Sequence, residues 1–191
     1  MIEENKKIIK QNQVQEVTEY DEILDTLIED YFIEMPANFK LPAWDKIDIN
    51  ESHILARHSK SGRILSALEG VGMYHNVRAK YFNGNSKPFD AFLKVFKIKI
   101  KNREKLNTRE EEIAEYILKN DNKDLFPYEM SDDKILSIIR KAYNDTKKTG
   151  KVQDSDTGAR SLFIGKADEL IIHLWINLDT LTIETAYPVY E

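Results

Sequence analysis

The last thirty residues restrict the fold more than any other part of the chain. SLFIG at 161–165, ELIIHLWIN at 169–177 and LTIETAYPV at 181–189 are apolar runs rich in β-branched and aromatic residues, and the tripeptide LDT alone separates the last two. Such runs, bounded by short polar breaks, read as successive antiparallel strands. Because segments of helical period precede them, the expected class is α+β, with helices first and a sheet last.

Upstream, Val17, Tyr20, Leu24, Leu27, Ile28 and Tyr31 recur every three or four residues with acids between them, predicting an acidic amphipathic helix that ends before Pro36. The Pro-containing link MPANFKLPAWDKID follows, so residues 1–45 read as an attached acidic arm and residues 46–191 as the main domain. Helical pieces are expected over 52–80, broken at Ser61-Gly62 and between Gly70 and Gly72. VFKIKIK at 95–101 alternates apolar residues with lysine at the period of a half-exposed strand. NTREEEIAEYILKN reads as a helix capped by Thr108, and MSDDKILSIIRKAYNDTKK as one capped by Ser131, with Ile135, Leu136, Ile138, Ile139 and Ala142 as its buried stripe. Asp132 and Asp133 fall in its first turn, where carboxylates favour the positive end of the helix dipole. TKKTGKVQDSDTGAR, residues 146–160, reads as a polar loop. No repeat or low-complexity run interrupts the chain.

The chain has no cysteine, which excludes disulfides, thiolate metal sites and cysteine nucleophiles. The opening MIEENKKIIKQNQ lacks the apolar core of a signal peptide, and no run approaches the ~18 apolar residues of a membrane span, so no membrane attachment is expected. The net charge of -5 hides a strong asymmetry. Residues 1–51 carry 13 acids and 5 bases, residues 52–100 carry 2 acids and 9 bases, and residues 101–191 carry 18 acids and 14 bases. The basic middle is the charge setting that a polyphosphate ligand requires.

That middle segment also holds three of the four histidines, His53, His58 and His75, within SHILARHSKSGRILSALEGVGMYHNVRAK. An imidazole titrates near neutrality, so a cleft with two of them and one cation can move a proton from a nucleophilic hydroxyl and return one to a leaving oxygen. The cation stabilises charge building on phosphorus oxygens. With RNA the substrate supplies the nucleophile as its 2′-hydroxyl, and neither metal nor cofactor is called for. His53 and His58 are five apart, a poor spacing for two ligands on one helix face, and no HExxH, Walker loop, serine-hydrolase elbow or dinucleotide glycine motif accompanies them. His173, inside an apolar strand, reads as structural. His75, beside the glycines of GVGMYH, is the best placed for a close substrate approach.

Taken in order, HIL at 53–55, GVGMYH at 70–75, LFPYEMSDDKILSIIRKAY at 125–143 and ETAYPV at 184–189 resemble the motifs of bacterial EndoU-like ribonuclease toxin domains. These are C-terminal toxins of contact-dependent growth inhibition and other polymorphic toxin systems. The resemblance runs from about residue 45 to the end. It implies helices packed on a curved antiparallel sheet of the barnase/EndoU/colicin/RelE type, and metal-independent cleavage of single-stranded RNA or tRNA to a 2′,3′-cyclic phosphate. Carried over by position, His75 is one of an acid/base pair, and His53 or His58 is the other. Arg78 or Lys80 is the cation, and Thr185 and Tyr187 contact the substrate. Tyr74, Lys60, Arg63, Lys123 and Trp175 are candidates for RNA binding. The chain departs from the pattern in the spacing of its first histidine, in Met130-Ser131 where tryptophan precedes serine in the family, and in an insert over about 81–124. The resemblance further implies action in the cytoplasm of a target cell, delivery within a larger effector and an acidic immunity protein as partner.

Overall fold

The described part of the computed structural model comprises residues 30–32, 39–119 and 124–190. Its elements run β1 (Asp30–Phe32), a short 3-10 turn (Trp44–Lys46), β2 (Asp48–Ile49), α1 (Glu51–His58), α2 (Lys60–Glu69), α3 (Val71–Phe82), α4 (Ser86–Asn102), α5 (Thr108–Leu118) and α6 (Asp132–Asn144). Strands β3 (Lys147–Ser155), β4 (Gly158–Ala167), β5 (Leu170–Asn177) and β6 (Thr182–Val189) then close the chain. The class is α+β, as expected. No helix of the described residues is long and apolar enough to cross a membrane.

The strands form one sheet in the order β1-β3-β4-β5-β6-β2. Neighbours are antiparallel except β2, which runs parallel to β6 through Asp48 N–H to the Leu181 carbonyl and Asn50 N–H to that of Ile183. The sheet is therefore mixed, and two-residue β2 is too short to announce itself by alternation. The predicted polar loop at 146–160 is mostly β3, an irregular strand of Lys, Thr, Gln and Asp that is paired with β1 on one side and β4 on the other. Of the acidic helix expected from Val17, residues up to 29 lie outside the described part. Its last member, Tyr31, sits in β1 opposite Val152. Phe39, Leu41 and Trp44 pack against the sheet's core, so packing does not break at residue 45.

α6 lies on one face of the sheet and supplies Ile135, Ile138, Ile139, Ala142 and Tyr143 to a core shared with Phe163, Ile172, Leu174, Ile176, Ile183 and Ala186. Ser131 caps it as expected, accepting from Lys134 N–H. The helix rests almost on the β4 backbone: a Cβ at Gly165 would lie 2.0 Å from the Ala142 carbonyl oxygen, so only glycine fits.

A second core joins α2, α3, α4 and α5. VFKIKIK, expected as a strand, is the end of α4. Phe89, Leu93, Phe96 and Ile100, spaced by four, three and four, are buried, while Val95 and Ile98 stay 54% and 59% exposed. The alternation of 95–101 is only local, and over seventeen residues the helical period decides the conformation. Asn107, one residue before the predicted Thr108, caps α5 in a reciprocal box with Glu110. The first break in the basic segment falls at Ser59 rather than Ser61-Gly62. Gly62 lies inside α2, and a Cβ there would meet the Leu55 carbonyl at 2.0 Å, so the crossing of α1 and α2 requires glycine. The break at Gly70 stands where predicted.

Candidate active site

The face of the sheet away from α6 gathers the polar chemistry. Register places His173 opposite Tyr187, Trp175 opposite Thr185, and Leu162 opposite Trp175, so these five share a face. A bulge beside Trp175 makes this possible. Trp175 pairs with Thr185 but Ile176 with Ile183, leaving Glu184 as the extra residue on β6. Thus Ile183 enters the core while Thr185, two positions on, faces the other way.

α1 brings His58 to this face. Its last turn is tied to the segment before α6, where Phe126 N–H donates to the His58 carbonyl at 2.6 Å and Lys60 N–H to the Phe126 carbonyl at 3.3 Å. This places the Asp124 carbonyl 3.2 Å from His58 Nδ1. A carbonyl only accepts, so Nδ1 carries the hydrogen of the neutral ring, and Nε2 presents a lone pair to Thr185 Oγ1 at 2.8 Å. Tyr187 stacks on the same ring, 5.1 Å between centroids at 29°. Its phenol oxygen accepts from Trp175 Nε1 at 3.1 Å, which leaves the phenol hydrogen to donate. The His53 ring stands 6.3 Å from that of His58, on the exposed side of α1.

Burial first, then the nearby His53 and Arg57 charges, push His58 down to about 4, against the opposing pull of the Asp124 carbonyl. At neutral pH it is an uncharged base. His53 is also held below its ordinary value by burial, Arg57 and Arg160, with the Glu184 carboxylate opposing. His173, 5.5 Å from Tyr187, is lowered by burial and by Lys151. The cations at this face are Lys151 and Arg160, whose charges lie 5.9 Å and 5.2 Å from the Trp175 ring centre. Arg160 also donates to Gln153 Oε1 and pairs with Glu184 at 3.8 Å, and Asn177 donates to Glu184 at 3.2 Å.

The predicted residues therefore divide. His53, His58, Thr185, Tyr187 and Trp175 come together. His75, Arg78, Lys80 and Tyr74 lie on α3, which packs on α2, α4 and α5. There Arg78 donates to His75 Nδ1 at 3.0 Å, Tyr74 donates to Asp90 at 2.7 Å, and Lys80 lies over the Tyr116 ring at 4.3 Å. The structure does not bring His75 to His58, and their proximity in sequence reflects consecutive helices rather than a shared cleft. Lys60 is exposed on α2 with Arg63 half-buried a turn later, and Lys123 lies outside the described residues. Trp175 is only 6% exposed beneath its two cations, so it positions Tyr187 rather than offering an open ring.

Sequence reasoning did not name Lys151, Arg160, Gln153 or Glu184, and His173, read from sequence as structural, stands on this face in ring contact with Tyr187. The signal was the pairing of β3 with β4, hidden because β3 reads as a loop. Once Leu162 is aligned with Trp175, alternation puts Arg160 on the same face. A cleft of about 530 Å3 lined by Phe39, Tyr143 and Phe163 contains no histidine. Among the described residues no cluster of three or more His, Asp or Glu side chains could hold a metal ion. No family model matches the chain, and no curated protein or solved structure matches it.

Proposed function

We propose that the protein is an RNA endonuclease of the EndoU-like toxin type, with the sheet packing of the barnase/EndoU/colicin/RelE group, cutting by attack of the 2′-hydroxyl on the adjacent phosphorus. The observation that carries this reading is the chain Thr185 Oγ1, His58 Nε2, His58 Nδ1, Asp124 carbonyl, stacked on Tyr187 with a second imidazole beside it. It is the pattern of a base fixed in one tautomer by a group behind it.

In the proposed reaction a 2′-hydroxyl takes the place of the Thr185 hydroxyl and donates to His58 Nε2. The proton passes to Nε2, the 2′ oxygen bonds to phosphorus, and the P–O5′ bond breaks. The 5′ oxygen takes a proton from His53, giving a 2′,3′-cyclic phosphate and a 5′-hydroxyl. Arg160 and Lys151 stabilise charge on the phosphoryl oxygens, a role for which Arg78 and Lys80 were the sequence candidates. The Thr185 hydroxyl and Tyr187 phenol hold the phosphate or a flanking base. As a toxin domain it would act on RNA, tRNA included, in a target cell and be neutralised by an acidic immunity protein that covers the basic surface.

The test is incubation with total RNA and with a uridine-containing oligonucleotide in EDTA, wild type beside His58→Ala and His75→Ala. Cyclic-phosphate ends from wild type and His75→Ala, and none from His58→Ala, are expected. Intact RNA with retained binding in all three would make the protein an RNA-binding module, and loss in His75→Ala alone would move the site to α3.

A further inference from the structure

The basic residues of the middle segment that the His58 site leaves unused lie on α3 and α4. Residues 71–102 carry seven lysines and arginines and one acid. Two of the seven are engaged locally, Lys99 with Glu110 at 2.8 Å and Lys80 over the Tyr116 ring. The one acid, Asp90, accepts from the Tyr74 hydroxyl at 2.7 Å. Lys87, Lys94, Lys97 and Lys101 enter no ion pair among the described residues, whereas the exposed Lys134 and Lys141 of α6 both reach Asp168.

Helix geometry sets these charges in a row. Lys87, Lys94 and Lys101 are exposed at intervals of two turns, so each lies ~10 Å from the next and within ~20° of it about the axis. The row is ~21 Å long, on the side of α4 turned from its buried Phe89, Leu93, Phe96 and Ile100. Lys97 stands one turn from both Lys94 and Lys101, a spacing at which like charges destabilise a helix. Lys87 lies in the first turn, at the positive end of the helix dipole, and no acid accompanies it there. Neither placement serves the helix, and an anion along the row would relieve both. Arg78 extends the row from α3, donating to Ser86 Oγ beside Lys87 at 3.3 Å and to His75 Nδ1 at 3.0 Å, so the neutral ring of exposed His75 keeps its hydrogen on Nε2.

All these outward groups are donors, the chemistry that a phosphate backbone takes. No Phe or Tyr of α3 or α4 is exposed, since Tyr74 packs edge-on to Phe89 and Phe82 packs on Phe89 and Phe92, so the face offers no ring on which unpaired bases could stack. A straight row of cations suits a duplex, which stays straight over such a length. The exposed apolar residues Val71, Val95 and Ile98 are too few for the core of a protein interface, and none is the aromatic or leucine side chain that a lipid surface takes up.

We propose that the outer face of α3 and α4, with Lys87, Lys94, Lys101, Arg78 and His75, binds the phosphate backbone of double-stranded RNA. Resting on the ribonuclease reading, this makes the substrate a structured RNA, whose stem lies along α4 while unpaired nucleotides beside the stem enter the His58 site. The contacts position the RNA and carry no sequence information.

The experiment uses the full chain, wild type beside a variant carrying K87Q, K94Q and K101Q, three exposed positions outside the proposed catalytic set. The probes are a fluorescent RNA hairpin and an unstructured RNA strand of equal length, both 2′-O-methylated so that neither is cut, and anisotropy is read from ~50 to ~200 mM salt. For the hairpin, the slope of log Kd against log salt is expected to become shallower by ~3 in the variant, about one unit per lysine, while the unstructured strand binds both proteins alike. A charge-keeping variant with K87R, K94R and K101R should bind the hairpin as wild type does. With unmethylated RNA, wild type should cut the hairpin about tenfold faster than the strand, an advantage the glutamine variant loses. No binding of the hairpin, or an unchanged slope, would overturn the proposal. So would equal losses on hairpin and strand, which would make the row a general source of positive charge, or wild-type binding to phosphatidylglycerol vesicles but not to the hairpin, which would assign the face to lipid. A lysine-dependent slope with no cleavage by either protein would leave the duplex site standing and remove the ribonuclease reading instead.

Discussion

His58 should make the stability of the fold depend on pH in a way that one substitution removes. Its ring titrates at 6.5 in the unfolded chain and at about 4 in place. Between those values the unfolded state binds a proton that the folded state refuses, so stability is fully present above pH 6.5 and is lost as pH falls toward 4. At ~1.4 kcal/mol per pH unit the whole interval corresponds to ~3 kcal/mol, and ~2 kcal/mol of it is already gone at pH 5. Burial is the leading cause, so the effect belongs to the folded environment rather than to a surface partner that salt would screen. His53 and His173 are shifted in the same direction and steepen the overall dependence.

His58→Gln isolates the residue, since the glutamine does not titrate while the other two histidines do so in both proteins. Urea unfolding at pH 7.5, 6.5, 5.5 and 4.5 should show wild type losing stability faster than the variant, the gap between them changing by ~2 kcal/mol down to pH 5. The variant itself starts lower, because it loses the contacts to Asp124 and Thr185. The test reads the difference between the two slopes, not the starting gap. Parallel curves would refute the argument, as they would mean that the ring titrates at its ordinary value and is not held as a neutral base.

Thr185→Val leaves His58 Nε2 without its donor in a buried setting, and should cost ~1–3 kcal/mol in urea unfolding, whereas Thr185→Ser should be close to wild type. On the proposed mechanism kcat/KM for RNA should rise as pH passes upward through about 4, as His58 becomes a base, and fall above a value lower than 6.5, as His53 loses its proton. A pH profile of cleavage of a fluorogenic oligonucleotide checks this, and a rate still rising at pH 8 would exclude the pair in these roles. Ile100→Ala should destabilise by ~2–5 kcal/mol while Ile98→Ala stays within about 0.5 kcal/mol, measured by thermal unfolding. Equal losses would instead match a strand, where the two side chains share a face.

The strands β4, β5 and β6 were legible because their apolar runs exceed anything a loop would carry, and α6 because Ser131 and the apolar stripe agree on its start and its face, although Leu136 of that stripe is only half-buried. Thr185 and Tyr187 entered through the ETAYPV resemblance, and the structure puts them against one imidazole. The bulge at Glu184 was not legible, since nothing in ETAYPV separates a paired from an unpaired glutamate. β3 was hidden because its run of Lys, Thr, Gln and Asp residues satisfies no hydrophobic pattern. His75 drew attention through nearby glycines, but Gly70 caps a helix boundary and a Cβ at Gly72 would meet nothing within 4 Å, so neither marks a close approach. Local glycine density says nothing of His58, whose setting depends on which distant carbonyl reaches it, a property of tertiary contact.

The same contact closes a long excursion of the chain beside His58. Ser59 and Phe126 are bridged, with Phe126 N–H on the His58 carbonyl and its own carbonyl on Lys60 N–H. The chain therefore departs at residue 60 and returns at 125 beside the same ring, and the intervening α2 to α5 build a core of their own around Phe89, Phe96 and Ile113. What the site requires of that excursion is one thing, that its end present the Asp124 carbonyl to Nδ1. Tyr190 holds the returning segment from the other side by donating to the Leu125 carbonyl at 2.9 Å. The tie itself is made by backbone groups on both strands of chain, while α2 must keep Gly62 where it crosses α1. His75 takes no part in that tie, and the tautomer of His58 is set by the closure of the loop.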